Sequence, residues 1–378
     1  MNRCTFAILM WCATVASAAP VGAFTRLSDV GQVSRAADAS FDAASGTYSI
    51  GASGDNMWAE RDAFGFLWKQ VSGDLTFAAR VEIQGKSAQG HRKAGVMFRQ
   101  SLDADSAYVD AVVHGDGLTS LQFRSERGGP TREVQCMAHA PSAIRLEKRG
   151  DYIELSPANE AGIFEDSGCR IKIILRGSFY AGLVVCAHDN EAFESAKFKH
   201  VALGKPPKRT DSPMYAIELM PVGSLDRKVI YHYNQPLESA SFTATGDALC
   251  FRQEGQLQRL ALDGSSEPQQ IEAQNAQACE LGHSEMMPES SVPSEAGSGG
   301  RVWLPRRSPD GSTIAYLLGG RRAQDGRPAA GDYQLRSIPF DGGESRELAR
   351  LYGGPGALGP APWSADGKQL VFVSREPD

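Results

Sequence analysis

The sequence predicts an all-β protein in which a β-sandwich is followed by a partial propeller of about three blades. One observation is a short pattern that recurs three times towards the C-terminus, and the other is a long series of short apolar runs before it, without helical periodicity. Repeated four-stranded units are typical of propeller blades, and short strands separated by Gly, Asp and Pro are typical of sandwiches. The chain therefore divides into these two parts.

The repeated pattern is a glycine turn followed by an aliphatic, a small and an aromatic residue. Its copies are TGDALCF at 245–251, SPDGSTIAY at 308–316 and SADGKQLVF at 364–372. Glycine accepts the positive φ of such a turn without steric cost, so each copy predicts a turn and then a strand. A second unit of alternating apolar residues leads into Asp-Gly hairpin turns at 263–264 and 341–342.

These repeats resemble those of the TolB-like propeller family, in which Trp-Ser-Pro-Asp-Gly and two variable residues precede an aliphatic-Ala-Phe strand. SPDGSTIAY and PWSADGKQLVF are similar to that repeat, whereas the first copy has Thr245 where the family has aspartate. The resemblance covers roughly residues 210–378. It implies that SPMYAIELMPVGSLDRKVIYHY supplies the last two strands of a blade whose first strands come from the C-terminal copy.

Pairing these two half-blades gives about three blades, whereas closed propellers normally have about four to eight. Three blades alone are expected to leave apolar faces and strand edges exposed. Two explanations stay open: the chain is a shortened member of a longer family, or two chains form a homodimer that completes one propeller. The end of the sequence at SREPD, shortly after the last repeat, favours the first.

The N-terminal part, residues 20–204, is predicted to be the sandwich, and residues 205–378 the propeller repeats. The boundary is placed near Lys205 because ALGKPPKRTDSP interrupts the strand pattern. The strands AGVMFRQSLD and YAGLVVCAHD resemble those of the concanavalin A-like lectin/glucanase superfamily, over about Asp29 to Leu203. This resemblance implies a jelly-roll fold, which hosts sugar binding, protein binding and glycan cleavage alike.

Residues 1–19 have the composition of a secretory signal peptide, with Arg3, an apolar run and small residues at Ala16 and Ala18. No segment approaches the length of a membrane span, so the protein is predicted to be exported, periplasmic or secreted. A formal net charge of −6 provides no broad basic surface for nucleic acid.

Five cysteines follow the predicted signal peptide, and this odd number does not indicate a disulfide framework. One bridge is considered, between Cys169 and Cys186, because RIKIILRGSFYAGLVV reads as a hairpin about Gly177 and Ser178 that would place them opposite each other. The alternative is a set of half-buried thiols. No Cys/His spacing predicts zinc.

Local motifs for catalysis are absent. The sequence has no GxSxG nucleophile elbow and no ExDxxE pair of the laminarinase type. Asp103, Asp105 and the pair His188–Asp189 are the candidates for calcium, but carboxylates in turns are more often turn formers. We therefore predict no catalytic residue, no metal and no cofactor. Of the histidines, His114 and His283 are expected to face a cleft.

Aromatic and basic residues on the predicted sandwich strands are the candidates for ligand binding. The predicted ligand-binding residues are Trp58, Arg99, Tyr108, His114 and Arg124. Alternation along neighbouring strands places several of them on one sheet face, where a tryptophan ring could stack on a pyranose and polar groups could bind its hydroxyls. Phe66 and Trp68 are spaced to point the same way, and a role in the core is the alternative for them.

The sequence thus predicts a non-enzymatic exported binding protein of the bacterial cell envelope. Its expected ligand is a glycan or an envelope protein, and the propeller resemblance implies a Tol-type biopolymer transport component. The alternative is a secreted glycan hydrolase or lyase whose acidic pair comes from separate strands and leaves no local motif.

Overall fold

The computed structural model describes residues 20–377, except positions 86, 209–212, 263–266, 273, 274, 276, 278, 283, 293–300, 322, 325, 327 and 355. These residues form twenty-seven β-strands and a 3-10 turn at Glu289–Ser291, with no α-helix among them. The all-β prediction is therefore confirmed. The predicted signal peptide and the turn at 263–264 lie outside the described residues. In the described part of the chain, no helix is long and apolar enough to cross a bilayer.

Sixteen strands precede residue 205. They are β1 (Arg26–Val30), β2 (Asp38–Asp42), β3 (Thr47–Ala52), β4 (Met57–Trp58), β5 (Arg61–Asp62), β6 (Phe64–Ser72), β7 (Leu75–Ile83), β8 (Lys93–Arg99), β9 (Tyr108–His114), β10 (Leu118–Arg124), β11 (Arg132–His139), β12 (Ala143–Arg149), β13 (Tyr152–Pro157), β14 (Arg170–Lys172), β15 (Ser178–Cys186) and β16 (Glu194–Gly204).

Eleven described strands follow. They are β17 (Tyr215–Pro221), β18 (Arg227–Tyr233), β19 (Leu237–Phe242), β20 (Ala248–Gln253), β21 (Gln256–Ala261), β22 (Gln269–Gln270), β23 (Val302–Arg307), β24 (Thr313–Gly319), β25 (Gly331–Pro339), β26 (Arg346–Gly353) and β27 (Gln369–Arg375).

Two sheets pack face to face in the N-terminal part. The shorter has the order β14-β13-β12-β7-β16-β3-β2, and the longer runs β1-β6-β15-β8-β9-β10-β11 and continues into β18-β17-β27. Because side chains alternate along a strand, one face of each sheet is apolar. The fully buried core between the sheets includes Phe77, Phe98, Leu121, Leu146 and Phe179. The predicted sandwich is present, and the opposite face of its longer sheet carries the candidate site.

The cysteine predictions are wrong. The run 170–186 is not a hairpin, because β14 belongs to the shorter sheet and β15 to the longer one. Cys169 therefore pairs with Cys136 of β11, with 6.0 Å between their Cα atoms, and Cys186 is a buried free thiol. A second disulfide joins Cys250 to Cys279. The first bridge connects the two sheets across the core, which sequence spacing alone does not indicate.

The three repeated turns have the same geometry, including the first copy with its divergent sequence. Gly246, Gly311 and Gly367 have φ of 72°, 76° and 69°. Each donates its N–H to the carbonyl oxygen three residues earlier at 2.9 Å. These φ values favour glycine, as the sequence predicts. The aromatic residues that follow the turns are buried: Phe251, Tyr316 and Phe372.

The C-terminal strands form three blade-like sheets. Two are continuous in sequence: the second blade, β19-β20-β21-β22, and the third blade, β23-β24-β25-β26. The first blade combines distant stretches, because β27 pairs antiparallel with β17 from Tyr215↔Arg375 to Pro221↔Gln369, and β17 pairs with β18. The predicted joining of two half-blades is confirmed.

Apolar side chains fill the spaces on both faces of the joined blade. Val371 belongs to a buried cluster with Phe242 of the second blade. On the alternate positions of β27, Phe372 belongs to a cluster with Leu317 of the third blade. The faces expected to be exposed in a three-bladed arrangement are therefore covered within one chain at these residues. The predicted homodimer stays a prediction.

The innermost segments of the blades meet at a common centre. The Trp363 indole donates to the Arg306 carbonyl at 3.0 Å, and the Arg306 guanidinium donates to the Gly359 carbonyl at 3.1 Å. The Ala361 N–H donates to Ser241 Oγ at 3.2 Å. A Cβ atom on Gly359 would collide with the strand that carries Ser241, so the close approach of the blades requires glycine here.

The sandwich joins the first blade by strand pairing. β11 and β18 pair in parallel at Val134↔Arg227 and Gln135↔Lys228. The outer edge of this blade is therefore protected over these residues, which limits edge-to-edge association. The predicted domain boundary near residue 205 lies in the connection from β16 to β17, and the division into domains stays a prediction.

An arginine cluster holds the C-terminal segment against the sandwich. Arg170 contacts Glu154 at 3.3 Å, Asp166 at 3.4 Å and Glu376 at 2.9 Å. The backbone of Glu376 also donates to the Met214 carbonyl. Burial raises the pKa of Glu376 to about 8, against the opposing effect of Arg170 and with the support of Asp166. This shift favours the protonated form of the carboxyl in the folded protein.

Glu376→Gln is expected to remove a pH dependence of stability. The folded-state pKa lies above the ordinary value of 4.5, so the stability that this group contributes is complete below pH 4.5 and is lost as the pH rises through about 8. We expect equal unfolding midpoints for the variant and the wild type near pH 4.5, and a higher midpoint for the variant near pH 9. Identical pH profiles in thermal unfolding would contradict this, and exposed Glu60→Gln is the control.

Candidate functional site

The outward face of the longer sheet collects the residues predicted to bind a ligand. Arg99 and Arg124 each lie opposite Tyr108 in the strand register, and His114 lies on the same face at the other end of β9. Trp58, from the short β4–β5 hairpin, covers this face. The structure therefore brings all five together on one face, but at two ends that differ in chemistry.

One end is the arginine end, which we define as Asp62, Arg99, Tyr108 and Arg124. Arg99 donates to Asp62 at 2.7 Å, and Arg124 makes a bidentate contact with the same carboxylate at 2.8 and 2.7 Å. The Tyr108 hydroxyl donates to the Met57 carbonyl at 3.0 Å. Both guanidinium groups and the carboxylate are completely excluded from solvent. Their polar contacts are internal to the protein.

The arginine end anchors the loops that cover the sheet. Besides Asp62, Arg124 donates to the carbonyl oxygens of Ala59, Ser106 and Gly129, which come from three different loops. A buried ion pair of this kind is stabilised only when its remaining donors are satisfied, as they are for Arg124. The arrangement fixes the β4–β5 hairpin to the sheet, and none of these side chains presents an accessible atom to a ligand.

The other end is the lysine end, which we define as Lys93, Asp110, His114, Gln122 and Glu133. The Lys93 ammonium donates to Gln122 at 3.1 Å, and Gln122 donates to Glu133 at 3.0 Å. In the strand register Gln122 lies between Asp110 and Glu133. All five are buried, with exposures of 0–6%. This sheet face is therefore polar where most sandwich positions are apolar.

Among the described residues, the Nδ1 atom of His114 has no hydrogen-bond partner, and neither carboxyl oxygen of Asp110 has one of good geometry, although the backbone of Gln122 lies near enough to affect the pKa of Asp110. Burying an unpaired polar group costs about 1–3 kcal/mol, so native proteins rarely keep such groups without a reason. At the arginine end, by contrast, both carboxylate oxygens of Asp62 accept hydrogen bonds.

Burial sets the charge of the lysine end. It raises the pKa of Asp110 well above its usual range, with Lys93 opposing, which favours the neutral carboxyl. Burial, with Lys93, lowers the pKa of His114 to about 4, so the imidazole is neutral as well. Burial opposes ionisation of Glu133, but hydrogen bonds such as those from Gln122 and Gln135 outweigh it and lower its pKa. Burial also lowers the pKa of Lys93, against the opposing effects of Cys186, Asp110 and Glu133.

Aromatic side chains form the rim above the lysine end. The half-exposed Trp58 ring lies 5.7 Å from the Lys93 ammonium. The His91 ring lies 5.9 Å from that of His114 and 5.3 Å from that of His188. His188 has φ of 56°, a left-handed conformation that costs free energy outside glycine. This rim, Trp58, His91 and His188, is the accessible part of the face.

The remaining predicted residues have other surroundings. Phe66 is fully buried in a cluster on this outward face, beneath the covering loops and not between the sheets. Trp68 donates to Ser28 and packs edge-on against Tyr180. Asp103 and Asp105, considered for calcium, both pair with Arg127 at 3.1–3.2 Å. His283 lies outside the described residues.

Among the described residues, Glu154, Asp166 and Glu376 offer carboxylate oxygens within 4.8 Å of one another. This spacing would suit an ion, but Arg170 contacts all three and supplies the positive charge. Nothing in this cluster resembles a metal site with a free coordination position. We assign no metal to it.

Comparisons with known proteins identify no family for this chain. No family model matches the chain, and no curated protein matches it. A candidate TolB protein from Agrobacterium tumefaciens is 16% identical with a TM-score of 0.37, over 44% of this chain and 100% of the other. A protein of unknown function from Saccharomyces cerevisiae is 14% identical with a TM-score of 0.38, over 48% of this chain and 97% of the other. These values carry no argument about function.

Proposed function

We propose that this protein is a non-enzymatic exported binding protein of the bacterial cell envelope, which recognises a carbohydrate above the lysine end. The observation that supports this most is the accessible rim of Trp58, His91 and His188 above the buried polar side chains of the lysine end. Export is supported by the two disulfides, which persist in oxidising compartments. We also propose that the protein is a Tol-type biopolymer transport component, which is supported by the repeat motif alone.

A sugar suits this surface because its hydroxyl groups both donate and accept hydrogen bonds. The accessible polar groups are the imidazole rings of His91 and His188, whose nitrogen atoms can take part in hydrogen bonds, whereas Asp110 and His114 lie buried beneath them. The half-exposed Trp58 provides an aromatic surface for the apolar face of a pyranose ring.

Trp58→Ala is the test of this site in the full-length protein. We expect at least one glycan of a diverse panel to bind the wild type saturably in calorimetry, and the variant to bind it at least about tenfold more weakly, from lost stacking and apolar contact. Trp58→Phe should retain part of the affinity. An unchanged unfolding midpoint controls for misfolding. If no glycan binds, or if Trp58→Ala binds equally well, the proposal is wrong, and a protein ligand takes its place.

A second candidate function is glycan hydrolysis or elimination. Asp110 and Glu133 lie on β9 and β11, one strand apart on either side of Gln122, so their backbones are roughly 9–10 Å apart. Their pKa values move in opposite directions, as expected for an acid and a base. Release of sugar products by the wild type, lost in Asp110→Asn and Glu133→Gln, would favour this function over simple binding.

A further inference from the structure

A second cavity lies where the sandwich meets the first blade. β11 and β18 pair only at Val134↔Arg227 and Gln135↔Lys228. Beyond these positions β11 stays with β10, and β18 stays with β17, so the two strands diverge. The wedge between them is a cleft of about 390 Å³, with β21 along one side. This volume is within the range of small-molecule sites, which favour junctions of this kind.

The lining of the cleft is mainly apolar, with basic groups and no carboxylate among the described residues. Its apolar members include Leu118, Met137, Ile230, Leu260 and Leu262. Met137 is 55% exposed, which is unusual for a large apolar side chain on a strand of this sheet. Exposed apolar surface inside a concave site is a frequent mark of ligand binding.

Lys228 provides the charge at this cleft. It is exposed at the point where β11 and β18 diverge, and within the described part of the chain it has no ion pair and no side-chain hydrogen bond. His139 lies on the same lining, and its ring packs directly over Gly117, which leaves no room for a Cβ atom there. In a chain with a net charge of −6, a cleft whose described lining residues include these two groups and no acid favours anions.

We propose that this cleft binds a single-chain amphipathic anion, a free long-chain carboxylate. The alkyl chain lies along Met137, Leu260 and Leu262, and the carboxylate contacts the Lys228 ammonium. The size of the cleft supports a small molecule over a protein partner, and the lack of acidic side chains among its described lining residues supports an anion over a cation. The site is separate from the lysine end, although Gln135 borders both.

The test uses the full-length protein and three probes of equal chain length, namely decanoate, decanol and decyltrimethylammonium, in isothermal titration below their aggregation concentrations. We expect saturable binding of decanoate, weaker binding of decanol, and the weakest binding for decyltrimethylammonium. Lys228→Glu is expected to weaken decanoate binding by at least about tenfold and to leave decanol binding nearly unchanged. Met137→Asn is expected to weaken both.

Lys197→Glu is the matched control, because Lys197 is also an exposed strand lysine without an ion pair among the described residues, but it lies in the shorter sheet. It should leave decanoate binding unchanged. Equal decanoate binding by Lys228→Glu and the wild type overturns the proposal, as does the absence of binding at millimolar decanoate. Binding to vesicles with anionic lipids, without binding of monomeric decanoate, also overturns it and identifies a membrane surface.

Discussion

Asp62→Ala is expected to destabilise the protein by about 3–5 kcal/mol. The substitution leaves the guanidinium groups of Arg99 and Arg124 buried without their shared carboxylate, and both are fully excluded from solvent. It also weakens the hold of Arg124 on the loops that cover the sheet. Urea unfolding followed by circular dichroism measures the free energy of unfolding.

Asp103→Ala is the matched control for this prediction. Asp103 also pairs with an arginine, Arg127 at 3.2 Å, but both side chains are more than half exposed. Exposed pairs contribute only about 0–1 kcal/mol, so the control should be close to the wild type. If Asp62→Ala is as mild as the control, the arginine end is solvated and does not anchor the β4–β5 hairpin.

Trp363→Ala is expected to cost about 3–5 kcal/mol, because it removes a large buried side chain from the centre of the blades. Trp363 is 2% exposed, and its indole N–H donates to the Arg306 carbonyl. The loss leaves a cavity next to Phe372 and Leu317. The same urea titration measures it.

Trp363→Phe separates the two contributions of this tryptophan. It keeps an aromatic ring but removes the hydrogen bond to Arg306, so a smaller loss is expected, with about 1–3 kcal/mol from the unpaired carbonyl. Trp58→Ala, at a half-exposed position, should have a much smaller effect on stability than Trp363→Ala. Equal losses for Trp58→Ala and Trp363→Ala would mean that the blades do not pack at this centre.

Features with a local cause could be predicted from the sequence. The turns at Gly311 and Gly367 follow from the backbone preference of glycine, and the strands after them follow from alternation. The joining of β17 to β27 was predictable because the repeat itself shows which strands are missing from each half-blade. The turns needed only neighbouring residues, whereas the pairing of β17 with β27 needed a comparison of the repeats with one another.

Features that depend on distant parts of the chain could not be predicted in this way. Cys136 and Cys169 meet across two sheets, and the parallel pairing of β11 with β18 has no local signal. The predicted site residues share a face because alternation is local, but the burial of Arg99 depends on the loop that brings Asp62 over it. A sequence signal was present at the arginine end, because Arg99 and Arg124 lie on predicted buried strands and a buried arginine requires a carboxylate partner.

Apart from His114, the residues of the lysine end were missed for a similar reason. Asp110, Gln122 and Glu133 alternate with apolar residues, which is also the pattern of ordinary solvent-facing positions. Only the covering loops turn these polar positions into buried ones. Their spacing in the sequence, on three consecutive strands, is consistent with either arrangement.

The pairing of β17 with β27 also has a consequence for the order in which the chain folds. β17 acquires this partner only after about 150 further residues have left the ribosome, whereas β11 is complete long before β18 is synthesised. The folded sandwich can therefore pair with β18 through β11 before β27 is available to pair with β17. Folding of this protein should accordingly be vectorial, with the slow step at the late long-range closure.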